Sequence, residues 1–212
     1  MIVITNKNKA FTLAEILITL TIIGVIAALT IPTLLQNKNE QELKTAYKKM
    51  YATLSQAAAR LVSDSGGTLK GDLNYVNRFT PYLNVSKICS NSEIYGNCWH
   101  KMGEFKYLKG TPVTGYGDEM GMVLSDGSLL FFGNKSIDCS NAIYGVATCA
   151  VIRFDVNGFK KPNTFGKDIF DIHLFPTTIK PLGIPEDSFN PNTDCSPTGT
   201  GQSCGYKILT EQ

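Results

Sequence analysis

From Phe11 to Leu35 the chain runs FTLAEILITLTIIGVIAALTIPTLL, 25 residues with one charged side chain, Glu15. As a helix this stretch is about 37 Å long, more than the roughly 30 Å hydrocarbon core of a bilayer. Its threonines suit such a helix, because a helical Thr hydroxyl bonds back to the preceding turn. Beyond it the pattern changes. Leu43, Tyr47, Met50, Leu54, Ala57 and Leu61 recur at steps of three and four, and Lys44, Lys48, Lys49 and Arg60 fall largely off that stripe. This is the spacing of an amphipathic helix whose apolar face packs on something else. Ser65-Gly66-Gly67 ends it. The pattern predicts one helix from Phe11 to about Asp64, wholly apolar over 11–35 and amphipathic over 36–64.

Period-two signals come later. Met122-Val123-Leu124-Ser125 and Ser128-Leu129-Leu130-Phe131-Phe132 flank Asp126-Gly127, a hairpin turn pair between apolar runs. A third strand is expected at Ala150–Val156 and a fourth at Ile169–Phe175. In the fourth, Phe170, Ile172 and Leu174 alternate with Asp171 and His173, which places His173 on the polar, surface side. Residues 66–120 are rich in turn formers, with a short helix expected in Leu73–Leu83. The tail, 176–212, holds Pro176, Pro181, Pro185, Pro191 and Pro197 and reads as irregular. The fold class is α+β: a long N-terminal helix, apolar enough in its first half to span a membrane, packed on a small antiparallel sheet within a head of residues 65–212.

The chain has 212 residues and a net charge of +2; loss of Lys7 and Lys9 with residues 1–10 brings it to zero. No strongly basic surface is implied, so nucleic acid is not a default partner. Six cysteines, Cys89, Cys98, Cys139, Cys149, Cys195 and Cys204, form an even set without any CxxC pair. That spacing argues against a zinc or thioredoxin-like role and for disulfides in an oxidising compartment. Many connectivities are open. Sequential pairing, 89–98, 139–149 and 195–204, closes the shortest loops at the least entropic cost. Reduced, buried thiols are the alternative.

Glu15 is the feature that an ordinary secretory signal, cleaved near Val25-Ile26-Ala27, or a simple anchor leaves unexplained. A carboxylate in an apolar spanning helix costs a few kcal/mol or more and marks function. Lys9-Ala10-Phe11-Thr12-Leu13-Ala14-Glu15 resembles the prepilin cleavage and methylation motif of type IV pilins and type II secretion pseudopilins. The resemblance is strong over residues 7–35. It implies cleavage between Ala10 and Phe11 by a prepilin peptidase, which then methylates the Phe11 amine. Ala10 departs from the family's usual Gly before the cut. Glu15 matches the family's glutamate, which pairs with the N-terminal amine of a neighbouring subunit and sets register. Gly24 and Pro32 fall where pilins carry a helix-loosening Gly and Pro.

The resemblance further implies a leader of residues 1–10 and a filament core of 11–35. It implies single-pass residence in the cytoplasmic membrane with an extracytoplasmic head, and then incorporation into a filament. The partners are other pilin-like subunits, the peptidase/methyltransferase and an inner-membrane assembly platform, with nucleic acid entering only for a competence pilus. The tail resembles the variable C-terminal loop that many pilins expose. Lys38, Lys44, Lys48 and Lys49 follow the span and run against the positive-inside rule, which long translocated domains override.

One loop invites a ligand. Asp155-Val156-Asn157-Gly158 with Pro162-Asn163-Thr164-Phe165-Gly166-Lys167-Asp168 brings Asp155, Asn157 and Asp168 between two strands, where their oxygens suit calcium. The pattern resembles loops of pilin-like heads, some of which hold calcium. The competing role is that of turn residues bonding their own backbone. No nucleophile triad or phosphate-binding glycine loop is present, so the chain is expected to be no enzyme. A membrane-tethered binding or adhesin domain that never polymerises is the alternative to a filament subunit.

Overall fold

A computed structural model describes residues 11–115 and 120–211. The chain divides into two compact units, Met1–Gln41 and Glu42–Gln212. Ala10, on the leader side of the expected cut, lies outside the described residues.

The first helix, α1, runs Leu13–Asp64, 52 residues with Pro32 inside it. In the first unit it is long and apolar enough to cross a membrane. Every side chain from Phe11 to Gln41 is exposed except the half-buried Ala27. The hydroxyls of Thr19, Thr21 and Thr30 donate to the carbonyls of Ile16, Leu17 and Ile26. These bonds hide those three hydroxyls from an apolar surrounding. The helix runs through Pro32, although Pro supplies no donor there.

In the second unit α1 buries Tyr47, Met50, Leu54, Ala57, Ala58 and Leu61, the expected stripe with Ala58 added and Leu43 only half-buried. The Gly67 amide donates to Val62 and the Ser65 amide to Leu61, with Gly66 and Gly67 at φ of 74° and 92°. This left-handed exit is where glycine is needed.

The strands are β1 (Val85–Cys89), β2 (Met120–Leu124), β3 (Leu129–Gly133), β4 (Asn141–Ile143), β5 (Val146–Thr148), β6 (Ala150–Asp155), β7 (Ile169–Leu174) and β8 (Ile179–Pro181). Six form one antiparallel sheet in the order β1-β2-β3-β6-β7-β8, while β4 and β5 pair as a separate hairpin. The register sets Leu130 opposite Phe154 and Phe154 opposite Phe170. These residues, with Met122, Phe132, Ile152, Ile172 and Leu174, share a core with the α1 stripe. The opposite face carries Leu129, Phe131 and Ile169 into a second core with Trp99, Phe105, Val113 and Phe165. Loops therefore cover the face away from α1, and the sheet is buried on both sides.

The three disulfides pair sequentially: Cys89–Cys98, Cys139–Cys149 and Cys195–Cys204. The second brackets the β4–β5 hairpin. The third joins α3 (Pro191–Asp194) to α4 (Cys204–Thr210).

The short helix expected within 73–83 is α2 (Tyr75–Phe79), followed by a 3-10 turn at Thr80–Tyr82; two other expectations change. Pro81 fits the first turn of a helix but not its interior. The tail is not simply irregular: it supplies β8, α3 and α4, and it buries Leu182, Ile184 and Cys204. His173 is not at the surface. It is fully buried, because the second loop layer covers the polar face of β7.

Candidate functional site

The N-terminal site begins at Phe11, whose side chain is 80% exposed. Glu15 Oε2 accepts from the Thr12 amide and from the Thr12 hydroxyl, each at 2.8 Å, while the Glu15 amide donates to Thr12 Oγ1 at 3.3 Å. This is a capping box, in which a Thr at the N-cap and a Glu three residues on satisfy each other's orphan donors. In the isolated chain, then, Glu15 is not an idle charge: it closes the start of α1. Nothing approaches within 4 Å of a Cβ built on Gly24. No contact among the described residues demands glycine there. The Thr12-x-x-Glu15 spacing, which overlaps the cleavage motif, is itself the sequence signal of this cap.

The second candidate lies between β6 and β7. Asp155 ends β6 and Asp168 immediately precedes β7, and both are fully buried. Asp155 Oδ2 sits 2.9 Å from His100 Nε2, and its Oδ1 accepts the Asn157 amide at 3.0 Å. Asp168 accepts the amides of Asn163 and Thr164, both at 2.7 Å. Asn157 Nδ2 donates to the Lys161 carbonyl. The structure thus brings Asp155 and Asp168 into one loop and adds His100, which lies 55 residues from Asp155 in the chain.

Burial governs the charges of this cluster. It pushes Asp155 well above the ordinary carboxylate value, against the Asn157 and Gly158 amides. It pushes Asp168 up to about 6, helped by the charge of Asp155 and opposed by the Thr164 and Asn163 amides. It holds the His100 imidazole low, against the pull of Asp168 and Glu104.

A calcium ion fits this donor set poorly. Every carboxylate oxygen of Asp155 and Asp168 already faces an N–H donor or the imidazole. The Asn157 and Asn163 side-chain oxygens are buried without a partner, but two amide oxygens fall short of the six to eight ligands calcium takes. Among the described residues no group of three or more His, Cys, Asp and Glu side chains is placed to hold a metal ion. What the cluster does visibly is fasten the 156–168 loop to the loop of His100.

The same sheet face carries two further buried polar pairs. Arg153 and Asp171 meet on β6 and β7, and Gln202 Nε2 bridges Asp171 to the Tyr144 hydroxyl at 3.0 and 3.1 Å. His173 Nε2 lies 2.7 Å from Asp187 Oδ1. The other Asp187 oxygen accepts the amides of Gly183 and Ile184. These contacts moor the tail to the sheet and point to no chemistry of their own.

No curated protein and no solved structure matches the chain. One family model does match, at residues 5–31. Those residues include the Ala10-Phe11 junction, Glu15 and Gly24, while Pro32 falls just beyond them. They carry the prokaryotic N-terminal methylation motif, and with it the chain bears the signature of type IV pilins and pseudopilins.

Proposed function

We propose that this chain is the precursor of a pilin-like filament subunit, cleaved after Ala10 and N-methylated on Phe11. The observation that carries the reading is the methylation motif on residues 5–31 leading into an exposed apolar helix. A side-chain surface this apolar needs either lipid or other helices around it. A subunit that waits in the cytoplasmic membrane and then enters a filament core meets both. The chain is then a substrate of the peptidase/methyltransferase and not a catalyst. Its partners are the assembly platform and other pilin-like subunits, and its disulfide-tied head faces an oxidising compartment.

The capping box refines the part of Glu15. Before assembly its carboxylate is satisfied by Thr12. In the filament it turns to the Phe11 amine of a neighbour, and a buried carboxylate there is tolerable only when paired. Glu15→Ala should leave processing intact and reduce incorporation into filaments. Normal incorporation of that variant would remove the pairing mechanism. Asp155, Asn157 and Asp168 serve in this reading as the clamp of a loop. The alternative, a tethered domain that never polymerises, predicts a processed chain that stays monomeric in the membrane.

A further inference from the structure

Resting on the processing step proposed above, we infer that Thr12 is a positioning residue for that step: its hydroxyl stops α1 short of Phe11 and so offers the cut to the peptidase as non-helical chain. The stop is written in the hydrogen bonds. The Thr12 carbonyl accepts the first intrahelical bond, from the Ile16 amide at 3.2 Å. Were the helix to begin earlier, the Glu15 amide would donate to the Phe11 carbonyl four residues back. It donates instead to Thr12 Oγ1 at 3.3 Å. The Thr12 amide, which a longer helix would turn back to Asn8, is taken by Glu15 Oε2 at 2.8 Å. Two of the bonds that would carry the helix back across the cut are thus spent on side chains. Accordingly α1 starts at Leu13, with Phe11 and Thr12 outside it.

The sequence around the cut supplies no other stop. Lys9 and Ala10 are good helix formers, and Asn6 and Asn8 are cap residues farther upstream. Without a cap at Thr12 the helix can restart at Asn8, which draws the Ala10–Phe11 bond into its first turn. Hydrolysis adds one water across that bond, leaving the carboxylate on Ala10 and the amine on Phe11. The attacked carbonyl has to be open, and proteases cut exposed chain that is not tied into secondary structure. Phe11, 80% exposed, offers its side of the bond in that state.

The test is the rate of leader removal from the full chain in detergent micelles by membranes that hold a prepilin peptidase, followed by intact mass. The parent is compared with Thr12→Ser, Thr12→Asn, Thr12→Val and Thr12→Ala. Capping and shape rank these variants differently. Ser and Asn cap at least as well as Thr, and Val and Ala do not cap. Val copies the shape of Thr, whereas Ser is close to Ala in size. Thr12→Ser and Thr12→Asn should be cut at the parent's rate or faster, and Thr12→Val and Thr12→Ala about fivefold more slowly. Glu15→Ala keeps the bond from the residue-15 amide to the Thr12 hydroxyl and should be cut like the parent. The inference is overturned if Thr12→Val is cut like the parent, or if the rates follow side-chain size, because the peptidase then reads shape. A parent chain that is not cut after Ala10 overturns the processing step itself, and this inference with it.

Discussion

Arg153 and Asp171 face each other across β6 and β7 as a bidentate pair, with guanidinium-to-carboxylate distances of 2.6 and 2.7 Å and both side chains buried. The guanidinium also lies 4.8 Å from the centroid of the Phe165 ring and 5.8 Å from that of Phe131. Charge and ring contacts together knit the loop layer to the sheet. Removing one partner of such a pair leaves a buried, uncompensated charge, at a cost of about 3–5 kcal/mol. Asp171→Ala is expected to lose that much in urea unfolding followed by the fluorescence of Trp99. The double variant Arg153→Met/Asp171→Leu should recover most of it. A loss below about 1 kcal/mol for the single variant would show that water reaches the pair.

Acid should loosen the tail. Asp194 is buried and accepts four hydrogen bonds, from the amides and hydroxyls of Thr200 and Ser203, at 2.6–2.9 Å. Burial alone would raise its pKa, but those donors outweigh it and hold the carboxyl below its ordinary 3.8. A folded-state value below the unfolded one gives stability that is present above about pH 4 and is lost as pH falls through the folded value. Asp194→Asn should destabilise the head by about 1–3 kcal/mol at neutral pH, because the amide cannot accept all four bonds. It should also flatten the stability curve below pH 4. A variant that keeps the parent's acid slope would place that slope elsewhere.

Tyr47 and Gly205 form the seat of α4. A Cβ on Gly205 would lie 2.5 Å from Tyr47 Oη and 3.0 Å from Cζ. Tyr47 is fully buried and stacks at 5.8 Å on Phe154, so it has little room to give. Gly205→Ala should cost about 1–3 kcal/mol by overpacking. The Tyr47 hydroxyl is buried without a partner among the described residues, and burial pushes its pKa up. Tyr47→Phe should therefore be neutral or stabilising. In combination with it, Gly205→Ala should become cheaper. Thermal melts of the four species complete the cycle.

Calcium should not stabilise the head. Millimolar calcium or its removal by a chelator is expected to leave the melting temperature unchanged, since the carboxylates of Asp155 and Asp168 are already occupied. A rise that saturates with calcium would follow the mass-action law for a site on the folded state. It would contradict the loop-clamp account.

The parts of the fold written in the sequence are those with a local cause. The stripe Tyr47 to Leu61 needs only helical spacing, and Asp126-Gly127 needs only a turn. The short loops 89–98, 139–149 and 195–204 close because their cysteines are near in the chain. β1 was hidden because its run Val85-Ser86-Lys87-Ile88-Cys89 is an edge strand with three exposed residues and a bulge. β8 was hidden by Pro181, tolerable only at an edge. His173 was misplaced for a different reason. Alternation identifies which residues share a face, but not whether a later loop will cover it. The partners that cover it, Asp187 for His173 and His100 for Asp155, are 14 and 55 residues away and leave no periodic trace. At the N-terminus, by contrast, the cleavage motif is wholly local, and so it could be read directly.

The central claim is tested by the intact mass and N-terminal sequence of the chain isolated from its native host. The account predicts a chain that starts at N-methyl-Phe11 and lacks six hydrogens, the mark of three disulfides. A start near Ala28 would make it an ordinary secreted domain, and an unprocessed Met1 would leave a plain anchor. Either result would contradict a filament subunit cut after Ala10.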